Sequence, residues 1–387
     1  ITLQTGETIT VYPESEHGYS SAYHLSVGTP ALVEVSGMNI TGKKPGETVL
    51  LKVNLVMSKG PDAAATTHPA FVAELARQLK AYGCRVIIGD SPGGTFNTAM
   101  LRRNYRVTGM MQAAEESGAE LSYNTGTKDV ACPAGKMLKN LTLTAMSQEA
   151  DKVISVCKLK THSMMTYTGA MKNMFGTVPG TVKAEYHVRM PKMEDFADAL
   201  IDICEAVKPV LSFMDAIIGM EGNGPTGGMP RKIGAVLASA NPYELDTVAA
   251  DLVGLGEQQV PTIKAAAARG LAPRAAADAR VVGEDPEQFK LHDFKLPDHI
   301  HSDLSQGGFL PKFGMKWLRP KVQFDPKRCV GCGDCAANCP AKVIVMKDRR
   351  PTVNCKECIR CFCCQELCPQ NAVKVKESWI FKIANKI

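Results

Sequence analysis

The chain lacks the features that mark several large classes of protein. No run of eighteen or more apolar residues occurs among its 387 residues, so we predict no membrane-spanning helix. The formal net charge of +6 is small for this length, and we therefore expect no nucleic-acid partner. No secretory signal pattern is recognisable, although the sequence begins with Ile1 rather than Met.

Motifs of common cofactor-binding and hydrolytic enzymes are also missing. The sequence contains neither a GxxxxGK phosphate loop nor a GxSxG nucleophile pattern. The segment GNGPTG at residues 222–227 matches GxGxxG, but a dinucleotide-binding fingerprint needs a helix directly after it. The residues that follow, MPRKIGAVLASA, favour a strand, so we interpret the segment as a Gly-rich loop beside a cleft.

Cysteine is scarce in the first 320 residues and dense after them. Four of the fourteen cysteines are spread over the N-terminal region, at Cys84, Cys132, Cys157 and Cys204. The other ten lie between Cys329 and Cys368. Disulfide scaffolds space their cysteines along a chain, whereas tight clustering indicates metal ligation, so we predict a metal-binding region in a reducing compartment.

The clustered cysteines form two copies of one motif. The first copy consists of Cys329, Cys332, Cys335 and Cys339, and the second of Cys358, Cys361, Cys364 and Cys368. Each cysteine of the second copy lies 29 residues after its counterpart, and a proline follows the last cysteine of each copy. Two further thiols, Cys355 and Cys363, fall outside the repeat.

The CxxCxxCxxxCP spacing is typical of bacterial-type ferredoxins, in which the fourth cysteine of each copy binds the cluster of the other copy. We therefore predict two [4Fe–4S] clusters. The first would be held by Cys329, Cys332, Cys335 and Cys368, and the second by Cys358, Cys361, Cys364 and Cys339. Paired zinc knuckles are the alternative, but they favour two CxxC pairs over this triple spacing. We expect a small α+β ferredoxin-like domain at residues 322–387.

Residues 1–280 alternate between apolar, β-prone runs and segments with helical periodicity. The strand-like runs are 47–56, 84–89, 151–160, 210–220 and 232–240. The helical patterns are 68–83, 193–207, 244–255 and 262–272. This alternation predicts an α/β domain with a mostly parallel sheet covered by helices.

Residues 281–321 lose the alternation and are predicted to be a connector that lies over a domain. The segment is polar, with scattered aromatic residues and prolines. Its His292, His299 and His301 are more typical of a hydrated linker than of a metal site.

Unusual polar residues follow or interrupt the predicted strands. The candidates for catalysis are Lys52, His68, His162 and Lys172. The candidates for substrate binding are Asn54, Thr67, Asp90, Lys158, Lys160, Asn173 and Glu221. Because ligands bind beyond the carboxyl ends of parallel strands, we expect these side chains around one crevice.

Most of these candidates also have an ordinary structural interpretation. Thr67 and Asp90 would suit helix caps. The basic residues of KLKTH (158–162) would suit a solvated strand end, and Lys172 a helix surface. Lys52 is harder to interpret in this way, since an unpaired buried lysine is costly.

The segments KVNLV, TTHP, GDSPGG, KLKTH, TGAMKNMFG, GMEGNGPTGG and NPYELDTVAADLVG resemble, in this order, the DUF362 family. The resemblance covers residues 45–255, and many members carry a C-terminal two-cluster ferredoxin module like residues 322–375. The family's usual Lys-Pro-Asn stands here as Lys52-Val53-Asn54. The resemblance implies an anaerobic, cytoplasmic iron–sulfur protein with no assigned reaction. A more distant similarity to the α/β domain of the lactate racemase family implies a cleft with lysines and histidines.

Three functions are compatible with these observations. The first is an iron–sulfur oxidoreductase that passes low-potential electrons to an anionic substrate or cofactor in the α/β cleft. The second is an electron-transfer subunit whose α/β domain docks a partner, which the lack of a flavin, nicotinamide or haem motif favours. The third is metallocofactor maturation that uses the spare thiols Cys355 and Cys363. We expect a redox partner protein, either a ferredoxin or a reductase.

Overall fold

The computed structural model describes residues 10–13, 23–26, 46–180, 182–297 and 320–376. Its strands are β1 Thr10–Pro13, β2 Tyr23–Ser26, β3 Thr48–Lys52, β4 Arg85–Gly89, β5 Glu120–Leu121, β6 Thr127–Ala131, β7 Asn140–Thr144, β8 Lys152–His162, β9 Thr166–Thr168, β10 Leu211–Glu221, β11 Met229–Ser239, β12 Lys321–Phe324, β13 Ile344–Lys347, β14 Arg350–Val353 and β15 Val373–Lys376. Its α-helices are α1 Pro69–Ala81, α2 Thr98–Val107, α3 Met110–Ser117, α4 Ala145–Glu149, α5 Ala170–Asn173, α6 Val182–Arg189, α7 Met193–Val207, α8 Pro242–Asp251, α9 Pro261–Ala268, α10 Asp334–Ala337 and α11 Cys363–Glu366. Short 3-10 helices lie at Pro61–Ala63, Met174–Thr177, Glu257–Gln259, Ala276–Asp278 and Pro286–Phe289.

A seven-stranded sheet forms the centre of the α/β region. Its strand order is β11-β10-β8-β3-β4-β5, with β9 paired to the end of β8. Strands β3, β4, β5, β8 and β10 run parallel, whereas β9 and β11 are antiparallel to their neighbours. The prediction of a mostly parallel sheet is confirmed.

Helices cover both faces of this sheet. Val49 and Leu51 of β3 pack with Phe71 of α1 in one hydrophobic cluster. Leu50, which points to the opposite face, belongs to a second cluster that contains Phe196 of α7. The period-two alternation of a strand therefore divides the core into two layers.

Three details differ from the expectations drawn from sequence. Strand β3 ends at Lys52, so Asn54 follows the strand rather than lying within it. Strand β8 extends to His162 because β9 pairs with its last three residues. Helix α1 is capped by His68, whose Nδ1 accepts a hydrogen bond from the backbone N–H of Ala70 at 3.3 Å, so the assignment of this cap to Thr67 is wrong.

The ferredoxin region repeats its backbone as well as its cysteines. Helix α10 and strand β13 recur 29 residues later as α11 and β15, and β12 recurs as β14. Strand β12 pairs with β15, and β13 pairs with β14. The pairing of β12 with β15 brings the start of the first copy against the end of the second, so the two copies form one small α+β unit.

The described part of the connector contacts the α/β region. The backbone N–H of Leu291 donates to the carbonyl of Leu252 at 2.7 Å, and the side chain of Phe294 is buried. His292 is exposed, whereas His299 and His301 lie outside the described residues. The predicted boundaries at residues 280 and 321 stay a prediction. Among the described residues, no helix has the length and apolar character needed to cross a bilayer.

Candidate functional site

A cavity of about 490 Å³ lies between the sheet and the ferredoxin region. One wall contains residues at the carboxyl ends of strands, including Lys52 after β3 and Asp90 after β4. The facing wall contains Cys339, Cys363 and Glu366 of the ferredoxin region. The volume is in the range of small-molecule sites, and its position agrees with the rule for open parallel sheets.

The eleven candidate residues divide into two groups. Six line the cavity: Lys52, Asn54, Asp90, Lys160, Lys172 and Asn173. The other five, which lie elsewhere in the described structure, are Thr67, His68, Lys158, His162 and Glu221. Their roles in binding and catalysis stay predictions.

Lys52 is held in a network of buried polar groups. Its ammonium lies 2.8 Å from the Asp90 carboxylate and donates to the carbonyl of Val53 at 2.7 Å and to Oδ1 of Asn173 at 3.0 Å. Burial lowers the pKa of Lys52, and the neighbouring Asp90 opposes that change. With three acceptors around three N–H groups, Lys52 shapes the cavity wall rather than offering a donor to a ligand.

Gly176 is required beside this network because the chain passes very close to it. A Cβ at Gly176 would collide with Asp90 and with the Lys52 side chain. The backbone of the segment that follows α5 therefore approaches the ion pair at a distance that only glycine permits. The carbonyl of Gly176 also accepts the backbone N–H of Ser91 at 3.1 Å.

Lys160 projects from β8 and keeps one donor available. Its ammonium donates to Oδ1 of Asn54 at 2.7 Å and to the carbonyl of Ala65 at 2.6 Å. One of its three N–H groups therefore has no acceptor among the described residues. Burial lowers the pKa of Lys160 to about 7, and the nearby positive charge of Lys172 adds to this effect. Lys160 is therefore able to hold or release a proton near neutral pH.

Lys172 is the cation on this wall that is most available to a ligand. Within the described residues its ammonium has no hydrogen-bond acceptor, and it lies 5.8 Å from the centre of the Phe175 ring. Burial lowers the pKa of Lys172, whereas the carboxylate of Glu366 opposes that change. Helix α5 is fixed by Asp246, whose carboxylate accepts the N–H groups of Ala170 at 2.7 Å and of Met171 at 2.9 Å.

Sequence reasoning missed two further lysines of the cavity, Lys183 and Lys342. Lys183 of α6 donates to the carbonyls of Ser91 and Val178, both at 2.6 Å. Burial lowers the pKa of Lys183 to about 7. His187 lies one turn later on the same helix and also lines the cavity, so the spacing of four between two basic residues in VKAEYHVR was the available signal.

Three of the five remaining candidates support the sheet below the cavity. The Thr67 hydroxyl donates to the carbonyl of Val156 at 2.8 Å and accepts the backbone N–H of Asn54 at 2.9 Å. Lys158 forms a buried ion pair with Asp215 at 2.8 Å, and the same carboxylate accepts the backbone N–H of His68. The interpretation of Lys158 as part of a solvated strand end is therefore wrong.

His162 and Glu221 connect segments of the chain. Nδ1 of His162 accepts the backbone N–H of Met164 at 3.0 Å, and its Nε2 lies 3.9 Å from the Glu366 carboxylate. The Glu221 carboxylate accepts the backbone N–H of Lys295 at 3.1 Å and so binds the connector. Both are buried, so they are not part of a solvated surface.

The eight repeated cysteines surround two small spaces in the ferredoxin region. One is lined by Cys329, Cys332, Cys335 and Cys368. The other is lined by Cys339, Cys358, Cys361 and Cys364. Each space therefore receives three cysteines from one copy and the fourth from the other. The assignment of these cysteines as cluster ligands stays a prediction.

The pKa of Cys335 is affected by the other cysteines that line the same space. Burial is the main reason that the pKa of Cys335 rises to about 11, and the thiols of Cys332, Cys368 and Cys329 add to it. The backbone N–H of Ala372 points at the Cys368 sulfur at 3.2 Å, which is the type of contact that tunes a cluster. Neither space is lined by the spare thiols, Cys355 and Cys363. The grouped cysteine side chains are of the ligand type that iron–sulfur clusters require.

Hydrogen bonds fix the second copy against the α/β region. Thr226 donates to the carbonyl of Glu366 at 2.8 Å, and Ser163 donates to the side chain of Gln365 at 2.9 Å. Lys59 donates to the side chain of Asn371 at 2.8 Å. These hydrogen bonds therefore hold together the two regions that border the cavity.

Two family descriptions match this chain. Residues 49–251 match "Domain of unknown function (DUF362)", and residues 321–369 match "4Fe-4S dicluster domain". A thylakoid-associated protein from Synechocystis sp. is 34% identical over 257 residues, which cover 66% of this chain and 78% of that protein.

Solved structures give more distant similarities. The lactate racemase apoprotein from Thermoanaerobacterium thermosaccharolyticum matches with a TM-score of 0.35 and 12% identity over 55% of this chain and 50% of that chain. A protein from Thermotoga maritima matches with a TM-score of 0.29 and 13% identity over 50% of each chain. This chain thus spans half the length of either structure, and neither similarity bears on function.

The family matches and the grouping of the cysteines both indicate iron–sulfur binding. The dicluster match supports bound iron–sulfur clusters and iron–sulfur electron transfer. The DUF362 match covers more than half of the chain, and the Synechocystis relative is similar over most of its length. The chain therefore belongs to the DUF362 family and carries a C-terminal 4Fe–4S dicluster domain.

Proposed function

We propose that this protein is an iron–sulfur oxidoreductase in which two [4Fe–4S] clusters supply electrons to an anionic acceptor bound in the cavity. The observation that carries the proposal is the position of Cys339. This cysteine lines the space assigned to the second cluster and also lines the cavity that contains Lys160 and Lys172. An acceptor in the cavity would lie beside a cluster ligand. When bound, such clusters transfer single electrons.

The charges around the cavity support an anionic acceptor. Its wall carries five lysines against three carboxylates, namely Lys52, Lys160, Lys172, Lys183 and Lys342 against Asp90, Glu185 and Glu366. The pair of Lys52 and Asp90 is neutral as a unit, which leaves four lysines facing two carboxylates, an excess of two positive charges. A ligand with one or two negative charges would balance this excess, and Lys172 with the remaining N–H of Lys160 would contact it.

The apolar part of the wall supports an acceptor with an organic body. Phe175, Val188 and Leu367 line the same cavity. Small-molecule sites commonly combine such apolar surface with a few polar groups that fix orientation. We therefore favour a carboxylate or phosphate attached to an apolar skeleton.

Lys160 is our choice for the proton donor. Reduction of the acceptor would consume electrons from a reduced partner protein, which becomes oxidised, and a proton from the Lys160 ammonium. The neutral amine would then regain a proton from solvent. A pKa of about 7 keeps both forms of Lys160 populated at neutral pH, as a general acid requires. His68 and His162, which were candidates for catalysis from the sequence, do not line the cavity. Exposed cluster ligands and free thiols would suit a reducing compartment such as the cytoplasm.

The binding part of the proposal is tested with a matched pair of probes. Benzoate presents a carboxylate on an apolar ring, and benzamide is its neutral counterpart. We expect benzoate to bind more tightly in isothermal titration calorimetry. Lys172→Ala should weaken benzoate binding about 10- to 100-fold, since a charge-assisted hydrogen bond is lost. Lys152→Ala, at the exposed start of β8, is the control and should change nothing. Equal binding of both probes, or an unchanged Lys172→Ala variant, would contradict the anion site.

The redox part needs a separate measurement. Chemically reduced protein is mixed anaerobically with a panel of small organic anions, and re-oxidation of the clusters is followed by visible absorbance. An acceptor should re-oxidise the wild-type protein but not Lys172→Ala, whose cluster spectrum should be unchanged. If no anion accepts electrons while a protein partner does, the alternative function, an electron-transfer subunit with a docking α/β domain, is the correct one.

A further inference from the structure

The excess positive charge of this protein is confined to its ferredoxin module. Residues 321–376 contain eleven Lys and Arg against five Asp and Glu, an excess of six that equals the formal net charge of +6 of the whole chain. The rest of the chain is therefore neutral in sum. Two clusters held by thiolates would add roughly −4, which still leaves the module positive.

Exposed cations of the module lie next to the first cysteine copy. Lys327 and Arg328 are exposed and directly precede Cys329. Exposed Arg349 donates to the carbonyl of Val330 at 3.3 Å, so its side chain lies on the same loop. Val330 has 52% of its side chain exposed, and Cys332 is exposed. We call these five residues the basic edge.

The second cluster site has a different environment. Its Cys364 is buried, its Cys339 lines the cavity together with Cys363, and the adjoining helix α11 is hydrogen-bonded to the α/β region. A partner protein would therefore reach the first cluster site at the basic edge, whereas the second site faces the ligand cavity.

We infer that the basic edge is the docking surface for an acidic one-electron carrier protein, so that electrons enter at the first cluster site and leave at the second, beside the cavity. This inference rests on the proposed function. A cationic rim around an exposed apolar side chain suits an acidic partner, because opposite charges steer the encounter and a small apolar contact permits rapid release. In the docking step the reduced carrier loses one electron and the module gains it, while no bond forms or breaks.

The test uses the full-length protein with its clusters and a reduced flavodoxin of negative net charge. The rate of cluster reduction is measured by stopped-flow absorbance at increasing salt, and binding is measured by calorimetry with oxidised flavodoxin. Lys327→Glu/Arg328→Glu should lower the second-order rate constant about tenfold at low salt and weaken binding, with a smaller effect at high salt. Lys152→Glu/Lys208→Glu reverses two charges at the amino ends of β8 and β10, on the opposite edge of the sheet, and should have little effect.

The outcomes separate this inference from the proposed function. Equal losses in the two double variants, or a reduction rate independent of salt, would overturn the docking surface. Binding of the module to anionic phospholipid vesicles, without salt-dependent reduction by flavodoxin, would assign the basic edge to a membrane surface instead. Since cluster reduction requires no ligand in the cavity, a failed search for a small-molecule acceptor would leave this measurement unaffected.

Discussion

The two cysteine copies share a backbone but differ in their surroundings. Gly331 and Gly333 of the first copy have φ values of 68° and 86°, and their counterparts Arg360 and Phe362 have φ values of 60° and 59°. The same left-handed conformation is therefore built with glycine in one copy and with larger side chains in the other. For residues other than glycine this conformation costs about 1–2 kcal/mol each.

The environment of each copy explains the difference. A Cβ at Gly331 would meet the backbone of Arg349, so the first copy needs glycine for space as well as for its φ angle. Phe362 is only 3% exposed, and burial of its ring contributes about 2 kcal/mol, which offsets the strain. Phe362 of the second copy is thus buried, whereas Val330 and Cys332 of the first copy are exposed.

The same contrast appears in the one-turn helices. Asp334 and Ala337 of α10 correspond to Cys363 and Glu366 of α11. Cys363 and Glu366 both line the cavity, whereas Asp334 is exposed and only Ala337 of its pair contributes to the cavity lining. Under the proposed function, one copy would serve a partner protein and the other a ligand, because substitutions on these helices leave the cluster ligands in place.

The largest effect should come from breaking one cluster site at a time. Cys339→Ser should remove the cluster of Cys358, Cys361 and Cys364, lowering iron from about eight to about four per chain. The remaining first site should still accept electrons from flavodoxin but should not pass them to an acceptor. Cys335→Ser should do the reverse: slow reduction by flavodoxin, but normal electron delivery after chemical reduction. Iron content and electron paramagnetic resonance identify the surviving cluster. Loss of the first cluster in Cys339→Ser would contradict the crossed assignment.

A moderate effect should come from the paired left-handed positions. Gly331→Ala should lower the free energy of unfolding by about 2–4 kcal/mol, through backbone strain and collision with Arg349. Arg360→Ala should cost about 1 kcal/mol, mainly through the lost hydrogen bond to the carbonyl of Cys358, because a Cβ is already present there. Anaerobic urea unfolding of the cluster-containing protein gives both values. Similar losses at the two positions would show that the copies do not differ in the way described.

The smallest effect should come from Glu366. Benzoate binding should weaken as the pH rises through about 7, because Lys160 and Lys183 lose their protons there. Glu366 raises the pKa of both lysines, so Glu366→Gln should move this midpoint to lower pH by about half a unit. Asp334→Asn removes the same charge from the first copy and should leave the midpoint unchanged. Calorimetric titrations between pH 6 and about 8.5 measure the shift. Equal shifts in both variants would argue for a general charge effect rather than a local one.

Hydrophobic periodicity predicted the positions of strands and helices better than it predicted which polar residues line the cavity. Strands and helices with long apolar patterns, such as β8 and α7, lie close to where the sequence places them. Lys158 and Lys160 lie two residues apart on the same strand, so the sequence pattern gives no reason to assign them different roles. The fold separates them, because Lys158 lies beside the Asp215 carboxylate of β10 and Lys160 lies at the cavity. Lys183 was missed because the four-residue spacing of Lys183 and His187 is its only signal, and such spacing is common on solvent-exposed helices.

The cysteine-rich region could be assigned from the order of its residues alone. Fixed spacing of cysteines within a few residues decides which thiols can reach a common point, and a 29-residue repeat shows that the arrangement is duplicated. Which cysteines border the cavity, and which lysines keep an N–H group available, became visible in the three-dimensional arrangement alone. These properties depend on contacts between segments far apart in sequence, such as Lys160 with Asn54 or Thr226 with Glu366. Such contacts arise from packing of the whole chain, and no local pattern encodes them.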